Sequence, residues 1–595
     1  MVSIIRFEER KQGMKEKKHL LAYKNGLQEI LKDNPYLAEK VGCGYQDFQD
    51  FACGRQFYVD KTHFITEWMQ SEAKVTLITR SRRFGKTTLL STVENFQDPR
   101  FSGYPEHFEK LKVWRDEKSR EWFGKIPVIS VSFGSCNGND YRQALRGMIN
   151  SLFMLYEAHE YLRCNAYLTE DDRNEYRTIC EALWNGAEEK VEIAISRLCY
   201  LLYRYYNCKP VILIDEYDTP LLEAYTDGYW NEMIGTCRQL FHCALKENPY
   251  YSRAIITGVT KNSLFSDLNN IEVDTVTCEP YSDCFGFTEK EVSDALKCQN
   301  MDSLQDVKAM YDGFIFGKRK DMYNPWSICN YLRQGELLSY WTNTSSNKLI
   351  GDIICKYPAR SKYEIEQLMK GVVVHKKINE HITFQYLDGD ENSLWSLLLA
   401  VGYIKADNVK KCGEITECDV SVTNQEVMEM FRYEILAMFE NGNAVYHDFV
   451  KALLSHRTEE LTDILMDISY TSMSYFDVGR RPSERAPENF YHGLVLGLIV
   501  SLRDRYRIVS NRESGCGRYD IAMYPLREGE DAFIIEFKVC DEKEDGSLEK
   551  AAENALRQIE EKRYDADLLA AGIAEEHIYK LGIAFAGKDV AVKSA

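Results

Sequence analysis

Short apolar runs rich in β-branched residues punctuate the N-terminal half of the chain, and helical patterns separate them. Such runs predict buried strands, because four to eight apolar residues between polar segments are typical of strands covered on both faces. Strands that alternate with helices predict a parallel α/β sheet. The apolar runs cover residues 74–79, 126–133, 210–214 and 253–260, and the clearest helical patterns cover residues 141–158 and 191–205.

Near the C-terminus, charged residues interrupt another apolar run at alternate positions. Residues 533–539 predict a strand, and its period of two places Glu536 and Lys538 on one face. Asp520 ends a shorter run and is expected on a neighbouring antiparallel strand. Two carboxylates and a lysine that meet there can hold a divalent metal and polarise water, as phosphodiester hydrolysis requires. The alternative is a surface ion pair on an edge strand, although the apolar neighbours favour a central strand.

A phosphate-binding loop is indicated directly after the first predicted strand. Gly85, Lys86 and Thr87 lie at the turn between that strand and a predicted helix. In such loops backbone amides surround the phosphates, the lysine reaches the β and γ oxygens, and the threonine hydroxyl binds Mg²⁺. Arg80 stands where the pattern Gly-x4-Gly-Lys-Thr has its first glycine. We therefore expect nucleotide binding and leave nucleotide hydrolysis open.

Two acids follow the third predicted strand and suggest the partner half of a nucleotide site. Asp215 can hold Mg²⁺ at the end of a parallel strand, and Glu216 can orient the attacking water. A solvated acidic turn is the alternative. Thr257 or Thr260 is a candidate γ-phosphate sensor, or simply a polar strand exit. Candidates for an arginine finger are Arg82, Arg83, Arg253 and an arginine from another subunit.

Several motifs together resemble a known combination of domains. They are Tyr58-Val59-Asp60-Lys61-Thr62, the basic loop Arg82-Arg83-Phe84-Gly85-Lys86, Glu488-Asn489-Phe490-Tyr491-His492-Gly493, Gly517-Arg518-Tyr519-Asp520-Ile521, Ile535-Glu536-Phe537-Lys538 and Ala555-Leu556-Arg557-Gln558-Ile559 followed by Tyr564. From about residue 47 onward the chain resembles bacterial proteins that fuse an AAA-ATPase-like domain to a PD-(D/E)XK nuclease domain. Tyr519 stands where the proline of the family name would be.

The resemblance implies a role for each matching residue. In the nuclease domain it implies that Asp520 and Glu536 bind the metal, that Lys538 orients or activates water, that Glu488 on the preceding helix is a further acidic ligand, and that Gln558 and Tyr564 support the site or touch substrate. In the ATPase-like domain it implies a nucleotide site formed by Arg83, Phe84, Gly85, Lys86, Thr87 and Thr88, together with Asp215, Glu216 and Thr257. The expected cofactors are ATP and Mg²⁺, with Mn²⁺ as an alternative.

The predicted fold class is α/β, divided among several domains because 595 residues exceed a single core. We expect an N-terminal P-loop NTPase-like parallel sheet with helices, a helical or winged-helix-like middle, and a C-terminal restriction-endonuclease-like α/β domain. The expected boundaries are a helical extension over 1–46, the ATPase-like domain over 47–285, a helical lid region over 286–360, a connector over 361–475 and the nuclease domain over 476–595.

Composition restricts the environment and the partners. The net charge of −18 argues against a general nucleic-acid coat, because non-specific binding is driven by basic surface. The 18 cysteines contain no Cys-x-x-Cys pair, which favours free thiols in a reducing cytoplasm. No apolar run approaches the roughly 20 residues of a membrane helix. The expected partner is nucleic acid, in particular DNA, with no membrane; a homo-oligomer is left open.

Three functional hypotheses remain open at this point. The first is an ATP-binding, Mg²⁺-dependent nuclease in which the N-terminal half gates or moves the C-terminal half. The second is an ATP-switched module that binds nucleic acid or protein and carries a vestigial nuclease. The third is a nuclease that ignores nucleotide, with the ATPase-like half as a scaffold.

Overall fold

The protein is described here by a computed structural model. It describes residues 26–54, 56–261, 263–265, 270–301, 303–341, 364–365, 367–369, 371–380, 391–412, 415–429, 431, 443–472, 495, 499, 502, 505–514, 517–527, 529–540, 545–587 and 589–595. The chain divides into two compact units. The first comprises residues 1–344 and 373–428, and the second comprises residues 345–372 and 429–595.

A five-stranded, wholly parallel sheet forms the centre of the first unit. Its spatial order is β2-β3-β4-β1-β5, so β4 lies between the first and third strands. Every residue of β1, β3 and β4 is buried, as expected of strands covered on both faces. The bounds are Val75–Thr79 (β1), Val128–Ser132 (β2), Val211–Asp215 (β3), Ala254–Gly258 (β4) and Ile271–Asp274 (β5).

Helices cover this sheet, and side-chain caps fix where several of them begin. Asp140 accepts the amide of Gln143, and Thr169 with Asp172 forms a complete capping box. The helices are Phe48–Gly54 (α1), His63–Gln70 (α2), Lys86–Gln97 (α3), Lys112–Arg115 (α4), Glu117–Arg120 (α5), Tyr141–Glu157 (α6), Glu170–Trp184 (α7), Ala194–Tyr206 (α8), Thr219–Asp227 (α9) and Trp230–Phe241 (α10). Residues 26–33 are also helical, inside the predicted N-terminal extension.

The next part of the first unit is the lid segment, residues 286–341. It contains a small antiparallel sheet of order β6-β8-β7 and three helices. Thr288 and Glu291 form a capping box at the first of these helices. The elements are Phe287–Thr288 (β6), Glu289–Cys298 (α11), Leu304–Tyr311 (α12), Phe314–Phe316 (β7), Arg319–Tyr323 (β8) and Pro325–Gln334 (α13).

An antiparallel sheet and a helix follow the lid segment in the first unit, and residues 425–428 are also helical. The sheet has the order β10-β11-β9, and we refer to these three strands as the connector sheet. The elements are Val374–Asn379 (β9), Glu391–Val401 (α14), Ile404–Cys412 (β10) and Ile415–Val422 (β11).

The second unit is built on a mixed five-stranded sheet of order β12-β13-β14-β15-β16. Only the β14–β15 pair is parallel. A Cβ added at Gly582 on β15 would lie 2.3 Å from the carbonyl oxygen of Ala552, so glycine permits close packing of helix on strand. The elements are Asn443–Leu454 (α15), Thr458–Ser472 (α16), Tyr506–Ser514 (β12), Gly517–Pro525 (β13), Ala532–Val539 (β14), Leu548–Lys562 (α17), Ala566–Ala570 (α18), Ile578–Ala586 (β15) and Asp589–Ser594 (β16).

The α/β fold class is therefore confirmed, including the parallel N-terminal sheet and the C-terminal α/β unit. Short 3-10 or π turns connect the longer elements, at Pro99–Phe101, Pro105–His107, Glu160–Leu162, Glu188–Lys190, His242–Lys246, Ser263–Phe265 and Glu575–His577. Among the described residues, no helix has the length and apolar character needed to cross a membrane.

A buried ion pair fixes the end of β1 to the edge of the parallel sheet. Arg80 is fully buried and its Nη2 lies 2.7 Å from Oδ2 of Asp274, the last residue of β5. Nη1 of Arg80 also donates to the carbonyl oxygen of Asp274. The guanidinium packs over Phe285 and Phe316. Burial raises the pKa of Asp274 to about 6, and Arg80 beside it opposes that shift.

Replacing Asp274 by asparagine should destabilise the first unit, because it leaves the Arg80 charge buried without its carboxylate. Breaking such a pair costs about 3–5 kcal/mol. The measurement is calorimetric unfolding at pH 7.5. The matched control is Glu272→Gln on the exposed face of the same strand, which should change stability by less than about 0.5 kcal/mol. Equal effects of the two substitutions would contradict the assigned role of the ion pair.

Candidate functional site

The predicted phosphate loop connects β1 to α3 at the carboxyl edge of the parallel sheet. Gly85 precedes the first helical residue, Lys86, and has φ of 82°, a left-handed conformation that glycine adopts without strain. The helix N-terminus presents free backbone amides and the positive end of the helix dipole. Sequence and geometry therefore agree on an anion-binding turn at this place.

Lys86 lies inside the loop with only 7% of its surface exposed. Its Nζ donates to the carbonyl oxygens of Arg80 and Ser81, each at 2.8 Å. Burial lowers the pKa of Lys86, and the charges of Asp215, Asp218 and Glu216 oppose that shift. The ammonium is thus held at the loop by two neutral carbonyls, which a phosphate could replace with a charge-assisted contact.

Asp215 contacts two other predicted residues, Thr87 and Thr257. One carboxylate oxygen accepts the hydroxyl of Thr87 from α3 at 2.5 Å, and the other accepts the hydroxyl of Thr257 from β4. The strand order explains this arrangement, because β4 lies between β1 and β3. A hydroxyl and a carboxylate side by side are oxygen donors of the kind that Mg²⁺ prefers. Thr260, the alternative sensor, instead donates to Asp218 and fixes the turn after β4.

Glu216 follows Asp215 with φ of 51°, a left-handed conformation that is uncommon outside glycine. Its Oε2 accepts the hydroxyl of Thr219 at 3.2 Å. A Cβ added at Gly134 would lie 2.4 Å from this oxygen, so the glycine makes room for the carboxylate. Burial raises the pKa of Glu216, and the neighbouring charge of Asp215 adds to the shift. A raised pKa suits a group that accepts a proton from water near neutral pH.

Arg83 and Phe84 hold the loop against the lid segment. The Arg83 guanidinium lies 3.7 Å from the ring centre of Trp326. Phe84 is buried against Phe314 and Phe316, with ring centres 4.7 and 5.3 Å away. The side chains of Arg83 and Phe84 therefore hold the loop against the lid segment. The sequence pattern alone does not distinguish such a packing role from contact with a nucleotide.

Three further predicted positions lie apart from the loop's interior. Thr88 is in the first turn of α3, where its carbonyl oxygen accepts the hydroxyl of Thr92. Arg253 precedes β4 at the opposite edge of the sheet and donates to Trp68 and Ser71, which removes it from the arginine-finger candidates. Asp60 of the Tyr58–Thr62 motif is buried and caps Thr62, which favours a structural turn.

In the second unit, Asp520 and Glu536 lie next to one another on the antiparallel strands β13 and β14. The amide of Asp520 donates to Oε2 of Glu536 at 3.3 Å, and the amide of Phe537 donates to Oδ2 of Asp520 at 2.8 Å. Glu536 is 5% exposed. The prediction that Asp520 is on a neighbouring antiparallel strand is confirmed.

Helix α17 and the residues after it support this pair from the side. Nε2 of Gln558 donates to Oε1 of Glu536 and approaches the hydroxyl of Tyr564 at 3.3 Å. Tyr564 is buried. The structure therefore brings together Glu536, Gln558 and Tyr564, as the sequence motif predicts. Glu488, the further predicted acidic ligand, lies outside the described residues.

Sequence reasoning missed Asp545, which contacts Lys538, and Asn554, which contacts Asp545. Nζ of Lys538 donates to Oδ1 of Asp545 at 2.7 Å, and Nδ2 of Asn554 donates to the same oxygen at 2.9 Å. Asp545 is 6% exposed. Asp545 belongs to an acidic run, which is typical of a solvent-exposed turn. The signal in the sequence that could have identified it is its position two residues before Ser547, the N-cap of α17.

Comparison with known proteins agrees with this geometry. Residues 42–266 match the family described as predicted AAA-ATPase, and residues 486–595 match the PD-(D/E)XK nuclease superfamily. The chain joins an AAA-ATPase-like domain to a PD-(D/E)XK nuclease domain. The phosphate loop, Asp215 and Thr257 fall within the first match, and Asp520, Glu536, Lys538 and Asp545 fall within the second.

One curated relative aligns with almost the whole chain. It is an uncharacterized protein in the vnfD 5′ region of Azotobacter chroococcum mcd 1, 24% identical over 570 residues, and the aligned part covers 92% of this chain and 96% of that protein. Domains of these two kinds generally use nucleotide and divalent metal, and a nuclease domain suggests a nucleic-acid substrate.

The Asp215 geometry generates a test of nucleotide binding. Asp215→Asn replaces the carboxylate that accepts hydrogen bonds from two hydroxyls with a neutral amide. Because the amide is a weaker ligand for Mg²⁺, Mg²⁺ should no longer strengthen the binding of a fluorescent ATP analogue. We expect at least a tenfold loss of affinity with Mg²⁺, about 1.4 kcal/mol. Asp227→Asn at the exposed end of α9 is the control and should bind as the wild type does. Unchanged Mg²⁺-dependent affinity in Asp215→Asn would exclude this residue from the metal site.

Proposed function

We propose that this protein is an ATP-binding, Mg²⁺-dependent nuclease whose N-terminal half controls the C-terminal half. The observation that carries the proposal is the convergence of Asp520 and Glu536 on neighbouring strands, with Lys538 two residues further along the same strand. Neighbouring carboxylates repel each other unless a cation or a proton neutralises one charge. A pair fixed by backbone amides and Gln558 suits a divalent cation.

The donor set fits Mg²⁺, with Mn²⁺ as its closest substitute, because both ions prefer oxygen ligands. Asp520 and Glu536 would hold the ion, and Glu488 would add a third carboxylate. A bound divalent ion polarises phosphoryl oxygens and lowers the pKa of bound water. Asp545 holds the Lys538 ammonium at a fixed position, from which it orients the attacking water. Gln558 and Tyr564 keep Glu536 in place.

The nucleotide half would work through the contacts of its phosphate loop. Lys86 would exchange its two carbonyl partners for phosphate oxygens, while Thr87 and Asp215 would hold Mg²⁺. Thr257 would sense the γ-phosphate, and Glu216 would orient water for hydrolysis. The same loop contacts Trp326, and Ser81 donates to the carbonyl oxygen of Ala400 in α14. Nucleotide binding would therefore change the packing of the lid segment and of α14.

The proposed substrate is DNA. The net charge of −18 opposes tight non-specific binding, so recognition would depend on local contacts and on the metal site. Such a nuclease would cut slowly on free DNA and would benefit from an activating signal, which is the role we assign to ATP.

Lys538→Ala should lower DNA cleavage at least 100-fold, the lower limit for loss of a group that assists proton transfer. Purified protein is incubated with circular, linear and single-stranded DNA and with RNA, in Mg²⁺ or Mn²⁺, with and without ATP. Lys562→Ala at the exposed end of α17 is the matched control and should retain activity. Wild-type cleavage by Lys538→Ala would overturn the site. No cleavage of any substrate by folded protein that binds ATP would favour the switched binding module.

Asp545→Asn tests whether Asp545 acts through Lys538. We expect cleavage to fall 10- to 100-fold, because a misplacement of about 1 Å costs this much in a preorganised site. The Lys538→Ala/Asp545→Asn double variant should cut no more slowly than Lys538→Ala alone, since coupled residues are not additive. Additive losses would mean that Asp545 contributes independently of the lysine.

A further inference from the structure

A second cluster of potential metal ligands lies in the first unit and includes none of the predicted Mg²⁺ residues. His63 is the first residue of α2, and Asp283 with Cys284 lies in the loop that precedes β6. One ligand atom from each of the three residues lies within 4.8 Å of the other two. The functions discussed so far do not use these residues.

Two of the three distances between the ligand atoms match those around a tetrahedral metal ion, and the third is about 0.3 Å longer. Nε2 of His63 lies 3.4 Å from Oδ1 of Asp283 and 3.4 Å from Sγ of Cys284, and the sulfur lies 3.9 Å from the same oxygen. Around a tetrahedral Zn²⁺ with bonds of about 2.0–2.3 Å, ligand atoms are separated by about 3.3–3.6 Å. For the nitrogen–oxygen contact, 3.4 Å is long for a hydrogen bond.

The surroundings hold the Asp283 carboxylate in place. Oδ2 of Asp283, the outer oxygen, lies 3.2 Å from Nη2 of Arg319, which leaves Oδ1 directed at His63. Nζ of Lys61 donates to the Asp283 carbonyl oxygen at 2.6 Å and fixes the loop backbone. Such outer partners hold ligating carboxylates in place. Glu67, one helical turn after His63, adds a negative charge on the same side of α2.

The site is buried at Cys284 and open to solvent through a cleft at His63 and Asp283. Cys284 is buried, whereas His63 and Asp283 line a cleft of about 460 Å³. The cleft gives an ion a path to the three ligands and leaves room for water in the fourth position. A set of one thiolate, one imidazole and one carboxylate favours Zn²⁺ over Mg²⁺, because Mg²⁺ takes oxygen ligands alone.

We propose that His63, Asp283 and Cys284 form a Zn²⁺ site that ties the start of α2 to the loop leading into the lid segment. Three protein ligands leave the fourth position to water from the cleft. The ion would fasten the lid segment to the helix that follows the Tyr58–Thr62 motif. The proposal is independent of the proposed nuclease activity.

The test is metal binding by the full-length protein, with Zn²⁺ and Co²⁺ as the probes. Wild-type protein dialysed against Zn²⁺ and then against buffer should retain one equivalent of zinc by mass spectrometry. Co²⁺ should give a thiolate-to-cobalt charge-transfer band. Both signals should be lost in Cys284→Ser and in His63→Ala. Arg319→Gln should weaken Zn²⁺ binding 10- to 100-fold, as loss of an outer partner does.

Cys53→Ser is the matched control, because Cys53 also lies beside an imidazole, 3.7 Å from Nε2 of His107. It should retain the zinc and the cobalt band. If Cys284→Ser does not fold, His63→Ala and Asp283→Asn provide the same test of zinc retention and of the cobalt band, because both side chains are partly exposed. Circular dichroism checks that these variants fold. Zinc retained in full by these variants, or a wild type that retains none, would overturn the proposal.

Discussion

The buried ion pair between Arg80 and Asp274 is the constraint on which the nucleotide end of the first unit depends. Arg80 occupies the place of a glycine that would leave the start of the loop mobile, and here it fixes that start to β5. Its carbonyl oxygen is also one of the two that hold the Lys86 ammonium. In the proposed function, a phosphate that entered the loop would therefore meet a turn that the ion pair already holds in place.

The same loop contacts the lid segment and α14 at positions where side chains would not fit. A Cβ at Gly286, which has φ of 80°, would lie 2.9 Å from the ring of Phe84. A Cβ at Gly402 would lie 2.5 Å from the hydroxyl oxygen of Ser81. Both glycines allow backbone to approach the loop closely. Because packed interfaces change in discrete steps, small shifts at the phosphates can reach the residues beyond α14.

The sequence correctly predicted those elements and residues that a short stretch of the chain marks by its own pattern. The β-branched runs predicted β1 to β4 of the parallel sheet and β14 of the second unit, but not β5, β12, β15 or β16. The period of two placed Glu536 and Lys538 on the same strand face. Asp215 and Thr257 were found because both end parallel strands at one edge. Partners far apart in sequence were missed. Asp274 is 194 residues from Arg80, and His63 is 220 from Asp283, and no spacing rule connects either pair. Asp545 was missed because its acidic neighbours indicate solvent.

The central claim is that nucleotide at the phosphate loop controls the metal-dependent site. The most direct measurement is the initial rate of DNA cleavage against ATP concentration, in Mg²⁺, for the wild type, Lys86→Ala and the exposed control Lys110→Ala. The account predicts that ATP changes the rate at least tenfold in the wild type and the control, and has no effect in Lys86→Ala. Equal cleavage by all three proteins with and without ATP would contradict it and leave the N-terminal half as a scaffold.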